Sequence, residues 1–239
     1  MDPLSRLRRE IERERKRARR RAPPLKATRL RRRPGHLAAG AFVAALVVLP
    51  FLVLLRGSTF FYWYLGWPTW VAMGTAGLLT LALVTAYAAY LSRAFTGQSR
   101  TRFVAQWIAA PLVIAYCLHA MLFLSSVNAK TGDVRSYYRS LHPMLRLAVS
   151  TFVIVDSRLV VTDIYRIPID YAAMGLPVYE ASLHFRQPDG YVHAMDLRTI
   201  GRGAVRNWTT AMYFRLLGFR TLRHEGTADH LHVSLPLRR

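Results

Sequence analysis

The sequence predicts an α+β domain, a small antiparallel sheet packed with one or two helices, carried behind three transmembrane α-helices. Three observations predict this. No carboxylate occurs from residue 37 to residue 126, whereas 4 precede that stretch and 9 follow it. Within it lie three apolar runs, each about long enough to cross a bilayer. Beyond it, short alternating runs bounded by turn residues surround a helical pattern. Water-facing surfaces carry both signs of charge, so a stretch of about ninety residues without one acid belongs in a membrane.

Residues 1–36 are a basic tail, with 15 Lys/Arg against 4 acids, about +11 of the net +21. Arg6 to Arg21 permits a charged helix, and Pro23, Pro24 and Pro34 break it. A run such as Arg15, Lys16, Arg17, Arg19, Arg20 and Arg21 has several partners open to it in general. Its position directly before a span points to topology and anionic lipid, at roughly 1 kcal/mol per basic residue near the surface. Nucleic acid is not expected.

The membrane region covers 37–126, with spans at 37–55, 69–91 and 103–124. Leu37–Leu55 is uncharged and interrupted only by Pro50. It is not read as a signal peptide, because the basic region before it is too long, no small-residue cleavage site follows, and two further spans come after it. Phe60, Phe61, Tyr62, Trp63, Tyr64, Trp67 and Trp70 mark an interface, since such rings favour the headgroup level. Thr69–Leu91 offers Ala72, Gly74, Ala76 and Gly77 for close helix contact. Phe103–Leu124 carries Pro111 as an expected kink. It also carries Cys117, the single cysteine, which excludes an intramolecular disulfide. His119 in this span is either a proton-relay group or a histidine bonded to a neighbouring helix.

Arg93, Arg100 and Arg102 lie between spans two and three, and only Arg56 edges the other loop. Positive charge prefers the cytoplasmic side, so the N-terminus is expected there. Three crossings then place the C-terminal domain outside the cytoplasmic membrane.

Residues 127–140 are expected as a polar linker and 141–239 as one small domain. Pro143–Phe152 suits a short helix and Leu159–Ile164 a strand. Ser182–Gln187 and Tyr191–Leu197 suit a hairpin around Pro188-Asp189-Gly190. Ala204–Leu217 has helical apolar spacing at Val205, Trp208, Met212 and Leu216, ended by Gly218. His230–Leu235 suits a last strand.

That strand reads His230-Leu231-His232-Val233, and alternation puts both imidazoles on one face. The hairpin adds His184 and Asp196. A catalytic zinc site needs three protein ligands and one open position, which His184, Asp196 and His232 would supply. The bland alternative is three unrelated residues: a hairpin surface histidine, a turn aspartate and a rim histidine.

These residues resemble the zinc peptidases of bacterial cell walls, which include D-Ala-D-Ala carboxypeptidases and L-Ala-D-Glu endopeptidases and share the fold of the Hedgehog signalling domain. The family's first motif runs Ser-x-His, a glycine-containing turn, then Ala-x-Asp-hydrophobic; here Ser182, His184, Gly190, Ala194, Asp196 and Leu197 match it. Its second motif places an acid three positions before the last ligand, matched by Asp229 and His232, with His230 giving the His-x-His form. Upstream, Val160 to Arg166 fits a strand that ends in an arginine. The match spans residues 141–237 and none of the membrane part. In one respect the chain departs from the pattern: eleven residues separate His184 from Asp196, where members usually place six. A longer hairpin tip over Gln187–Tyr191 or a damaged site would each account for that; His193 is a candidate substitute ligand, but strand alternation turns it away from Asp196.

The resemblance implies Zn²⁺ on His184, Asp196 and His232, with Asp229 as the general base toward a metal-activated water. It further implies Arg166 as a stabiliser of the developing oxyanion, where the bland reading is a surface ion pair, His230 as a group that either supports the ligands or faces the substrate, and the peptide stems of peptidoglycan as substrate. Two other readings stand beside it. One is a non-catalytic module that binds zinc or wall peptide; the other is a membrane scaffold whose basic tail recruits a partner.

Overall fold

The computed structural model describes residues 36–173, 175, 177–226 and 229–237. The basic tail and its expected lipid contacts lie outside the described residues. By internal contacts the chain divides after Phe42, and the second unit, Val43–Arg239, holds every element that positions the site.

Three long helices come first: α1 (His36–Trp63), α2 (Thr69–Thr96) and α3 (Thr101–Leu122). Val43–Trp63, α2 and α3 are each long and apolar enough to cross a membrane. Helix α1 runs on through Arg56 to Trp63, so the first aromatic residues of the expected loop are helical. Within α3 the segment Ala105–Ala109 is π-helical. Pro111 follows closely, and its missing N–H explains why the hydrogen-bond ladder shifts there.

The stretch expected as linker is packed against the rest. Asn128 is buried and donates to the carbonyls of Ser157 (2.9 Å) and Leu159 (2.7 Å). A short helix α4 (Gly132–Ser136) begins at Thr131, whose hydroxyl accepts the Val134 N–H. Tyr138 is buried, and its hydroxyl reaches the Ala120 carbonyl at the end of α3 (2.6 Å).

Then come α5 (Pro143–Val155), β1 (Val161–Asp163), α6 (Pro168–Ala173), β2 (Ala194–Arg198), α7 (Ala204–Leu216), β3 (Arg220–His224) and β4 (His230–Ser234). Among the described residues the strands form one antiparallel sheet ordered β1-β2-β4-β3. This is the small antiparallel sheet that the sequence predicts. Met195, Leu197, Leu231 and Val233 are buried in one core with Leu145, Val149 and Phe152 of α5 and Phe214 of α7. The opposite face, carrying Asp196 and His232, stays open.

One expected strand is absent, and two further features are ones the sequence leaves open. Ser182–Gln187 is not a strand but a series of turns, joined to the following segment by the isolated bridge Arg186↔Val192 and by bonds of the His193 N–H to the Leu183 carbonyl (2.9 Å) and of the Gln187 N–H to the Tyr191 carbonyl (2.8 Å). Strand β3 is an element that periodicity does not predict, because Arg-Thr-Leu-Arg-His lacks apolar alternation; it is an exposed edge strand, where basic residues deter further pairing. The apolar spacing of α7 does mark a helix, yet its stripe faces outward. Val205, Trp208 and Leu216 are 78%, 65% and 67% exposed, while Asn207, Thr210 and Phe214 are buried. The buried polar pair is satisfied: Asn207 donates to the Thr199 carbonyl (3.1 Å), and Thr210 accepts from Arg202 (3.1 Å).

Candidate metal centre

Strands β2 and β4 set Asp196 directly opposite His232. Because side chains alternate, both lie on the open face, and His230 shares that face two residues away. His184 arrives from the turn region, where its carbonyl accepts the Arg166 N–H (3.2 Å). Its own N–H is taken by the buried hydroxyl of Ser182 (3.3 Å). The eleven-residue spacing is absorbed by a tight turn. Gly190 adopts φ +85°, its N–H bonds the Gln187 carbonyl (2.8 Å), and Gln187 N–H bonds the Tyr191 carbonyl (2.8 Å). A side chain with a Cβ is disfavoured at that φ, which accounts for the glycine.

Three donor atoms converge. His184 Nε2 lies 3.3 Å from His232 Nδ1 and 3.4 Å from Asp196 Oδ1, and His232 Nδ1 lies 2.9 Å from Asp196 Oδ1. Ligands on a tetrahedral ion at bonds of about 2.0–2.1 Å sit about 3.3 Å apart, so this triangle has the size of one tetrahedral face. The tautomer of His184 is appropriate too. Its Nδ1 donates to the Ile164 carbonyl (2.7 Å), so in the neutral ring the lone pair is on Nε2, the nitrogen that faces the other two donors. These residues fit a metal ion.

Asp196 is held on its other oxygen. Oδ2 accepts from Arg166 Nη2 at 2.6 Å and stands 3.5 Å from His230 Nε2. Arg166 in turn donates its Nε to Asp163 (2.5 Å). Burial by itself would raise the Asp196 carboxyl, but hydrogen bonds with His184 and His232 and the nearby imidazoles hold it far below the ordinary carboxylate range. Arg166 is thus engaged as the clamp that orients a buried ligand. Asp163 completes the clamp; sequence reasoning assigned it no part, although the i, i+3 spacing to Arg166 was visible.

Asp229 lines the same cleft but is occupied. Its Oδ1 accepts from Thr199 (2.6 Å) and Arg223 Nε (3.0 Å), and its Oδ2 from Arg223 Nη2 (2.7 Å). The Arg223 bond, then that of Thr199, hold its carboxyl below the usual range. His230 stacks on His224, with ring centroids 4.7 Å apart. The whole cleft encloses about 1230 Å³, and Lys130, Arg198 and Arg220 add cations to its lining.

A second group of metal-ligand types, His142, Asp189 and His193, lies elsewhere. His193 turns away from Asp196, as strand alternation predicts, and in the interior meets Asp189 Oδ2 at 2.9 Å. His142 is the N-cap of α5: its Nδ1 accepts the Met144 N–H (3.3 Å), which places the proton of a neutral ring on Nε2. That N–H faces the Thr69 hydroxyl at 3.0 Å. Burial, then the charges of His193 and Arg146, push His142 well below its ordinary value, so the ring is neutral. With Nε2 protonated, two donors remain, short of the three a catalytic metal site uses.

No family model, curated protein or solved structure matches the chain.

Proposed function

We propose that this protein is a membrane-anchored, zinc-dependent peptidase that acts on peptidoglycan stem peptides outside the cytoplasmic membrane. The observation that carries the reading is the triangle of His184 Nε2, Asp196 Oδ1 and His232 Nδ1, with sides of 2.9–3.4 Å, in an open cleft. Zinc is favoured by the two-imidazole, one-carboxylate donor set, and when bound it supplies Lewis acidity and activates water at neutral pH. The positive-inside distribution of Arg93, Arg100 and Arg102 supports the outer location. The Ser-x-His and Ala-x-Asp motifs and the Asp-x-x-His ending support the substrate.

The chain's own residues divide the work. Arg166 and Asp163 fix the carboxylate of Asp196, and the Ile164 carbonyl fixes the His184 ring. Asp229 takes the proton of the attacking water and returns it to the leaving amine, which requires Arg223 to release it when substrate enters. His230 contacts the substrate from the same face as the ligands.

A second reading, a module that binds metal or wall peptide without cleaving it, is favoured by one observation, the engagement of both Asp229 oxygens by Arg223 and Thr199. The full-length protein in detergent, loaded with zinc, separates the two. Synthetic stem peptides ending in D-Ala-D-Ala or containing L-Ala-D-Glu are expected to be hydrolysed. Asp229→Asn is expected to lower the rate by about 10²–10⁴-fold with metal retained, the range for loss of a general base. Retained metal and peptide binding, with no hydrolysis by the unmodified protein, would establish the second reading instead.

A further inference from the structure

Helix α7 is amphipathic in the sense opposite to that of a helix on a water-soluble domain. At about 100° per residue, Val205, Trp208, Met212 and Leu216 fall on one stripe, with Arg206 on one flank and Arg215 on the other. Val205, Trp208 and Leu216 of that stripe are exposed and Met212 is half-buried, while the helix buries Asn207 and Thr210 along with Phe214 on the other side. Helix α5 ends similarly, with Ile154 and Val155 68% and 83% exposed. The two exposed regions are tied together at Asp156, which pairs with Arg202 (2.6 Å) and Arg206 (3.8 Å).

Contacts with the spanning helices say what covers this surface. The carbonyl of Leu217, at the end of α7, accepts the Thr59 hydroxyl at 2.5 Å. Gly218 follows at φ +94°, where a Cβ would meet Thr59 Oγ1 at 3.0 Å and Arg56 Nη1 at 3.1 Å. Thr59 and Arg56 lie inside the span that ends at Trp63, roughly 6 and 10 Å along the helix axis from that end. Thr151 of α5 likewise bonds Tyr116, which lies inside the third span. The C-terminal end of α7 and the C-terminal half of α5 are therefore joined to the segments that lipid surrounds.

We infer that the outward stripe of α7 and the tip of α5 lie in the interfacial layer of the bilayer, on the side that carries the domain, with Arg206 and Arg215 reaching anionic headgroups. An apolar face flanked by arginines is what an in-plane interfacial helix presents. Since α5 and α7 cover one face of the sheet, the face with His184, Asp196 and His232 opens away from the bilayer. The helical layer is a mount that fixes the direction of the cleft.

Collision accessibility of spin labels tests this. In a Cys117→Ala background, Val205→Cys, Trp208→Cys and Leu216→Cys are labelled one at a time, with Leu222→Cys on the cleft side as the aqueous reference. The full-length protein is reconstituted in vesicles of phosphatidylcholine and phosphatidylglycerol. Positions 205, 208 and 216 are expected to lose collisions with a water-soluble nickel chelate and gain them with oxygen, relative to position 222. Nickel accessibility equal to that at 222 overturns the inference. Exclusion of nickel accompanied by dipolar coupling between labels, removed by dilution with unlabelled protein, also overturns it, in favour of a second copy as the occupant.

Discussion

Two clusters of the same composition, two histidines and an aspartate, lie in one domain and differ in what they can do. In the first, the Ile164 carbonyl takes the Nδ1 proton of His184 and leaves a lone pair aimed at Asp196 and His232. In the second, the Met144 N–H occupies the Nδ1 lone pair of His142 and puts the proton on the nitrogen that would have to ligate. Proximity is common to both. The difference is set by one backbone group behind each ring, a carbonyl in one case and an amide in the other. The second cluster serves a joint instead, linking the N-cap of α5 to Thr69 at the start of α2.

The comparison can be broken most directly by metal content. His184→Ala or His232→Ala is expected to remove a near-stoichiometric metal entirely, whereas His193→Ala leaves it in place. Elemental analysis of the full-length protein in detergent reads this, and loss of metal from the His193 variant would erase the distinction.

The next effect concerns stability. In protein stripped by a chelator, Asp196→Asn leaves Arg166 without its buried partner and is expected to cost about 3–5 kcal/mol at neutral pH. The folded-state carboxyl lies below its unfolded value of about 3.9, so its contribution is fully present above that value. It is lost as pH falls through the lower folded value. The gap between the two proteins in thermal denaturation, followed by circular dichroism, should therefore narrow only below about pH 4. A gap that closes between pH 5 and 8 would mean that a histidine, not Asp196, governs it.

The smallest effect sharpens the role of the joint. Thr69→Val removes the hydroxyl partner of His142 and is expected to cost about 1 kcal/mol of stability, read as a lowered Tm, with metal affinity unchanged. A change in metal affinity would mean that the joint and the metal centre are coupled.

Much of the architecture was legible in the residues themselves. Carboxylates are absent from 37 to 126, and that absence together with run length is a local property that makes the three helices apolar and long enough to cross a bilayer. The pairing of His230 and His232 on one face follows from strand periodicity alone. The span ends moved by several residues, because Arg56 does not stop α1 and the aromatic residues after it continue the helix.

Other features depended on groups far away in the chain. The apolar spacing of α7 specified a helix but not which side faces inward, because hydropathy has the same period whether the stripe meets a core or a bilayer. Asn207 and Thr210 turn inward because Thr199 and Arg202 are there to satisfy them. Arg166 could be read as a free cation at the end of a strand, yet Asp163 and Asp196 claim it once β1 lies beside β2. Composition and periodicity belong to each segment by itself and therefore survive in the sequence. Tautomer, ion pairing and the direction of a helix face are set by whichever backbone or side-chain group arrives opposite, and only the assembled tertiary structure decides that.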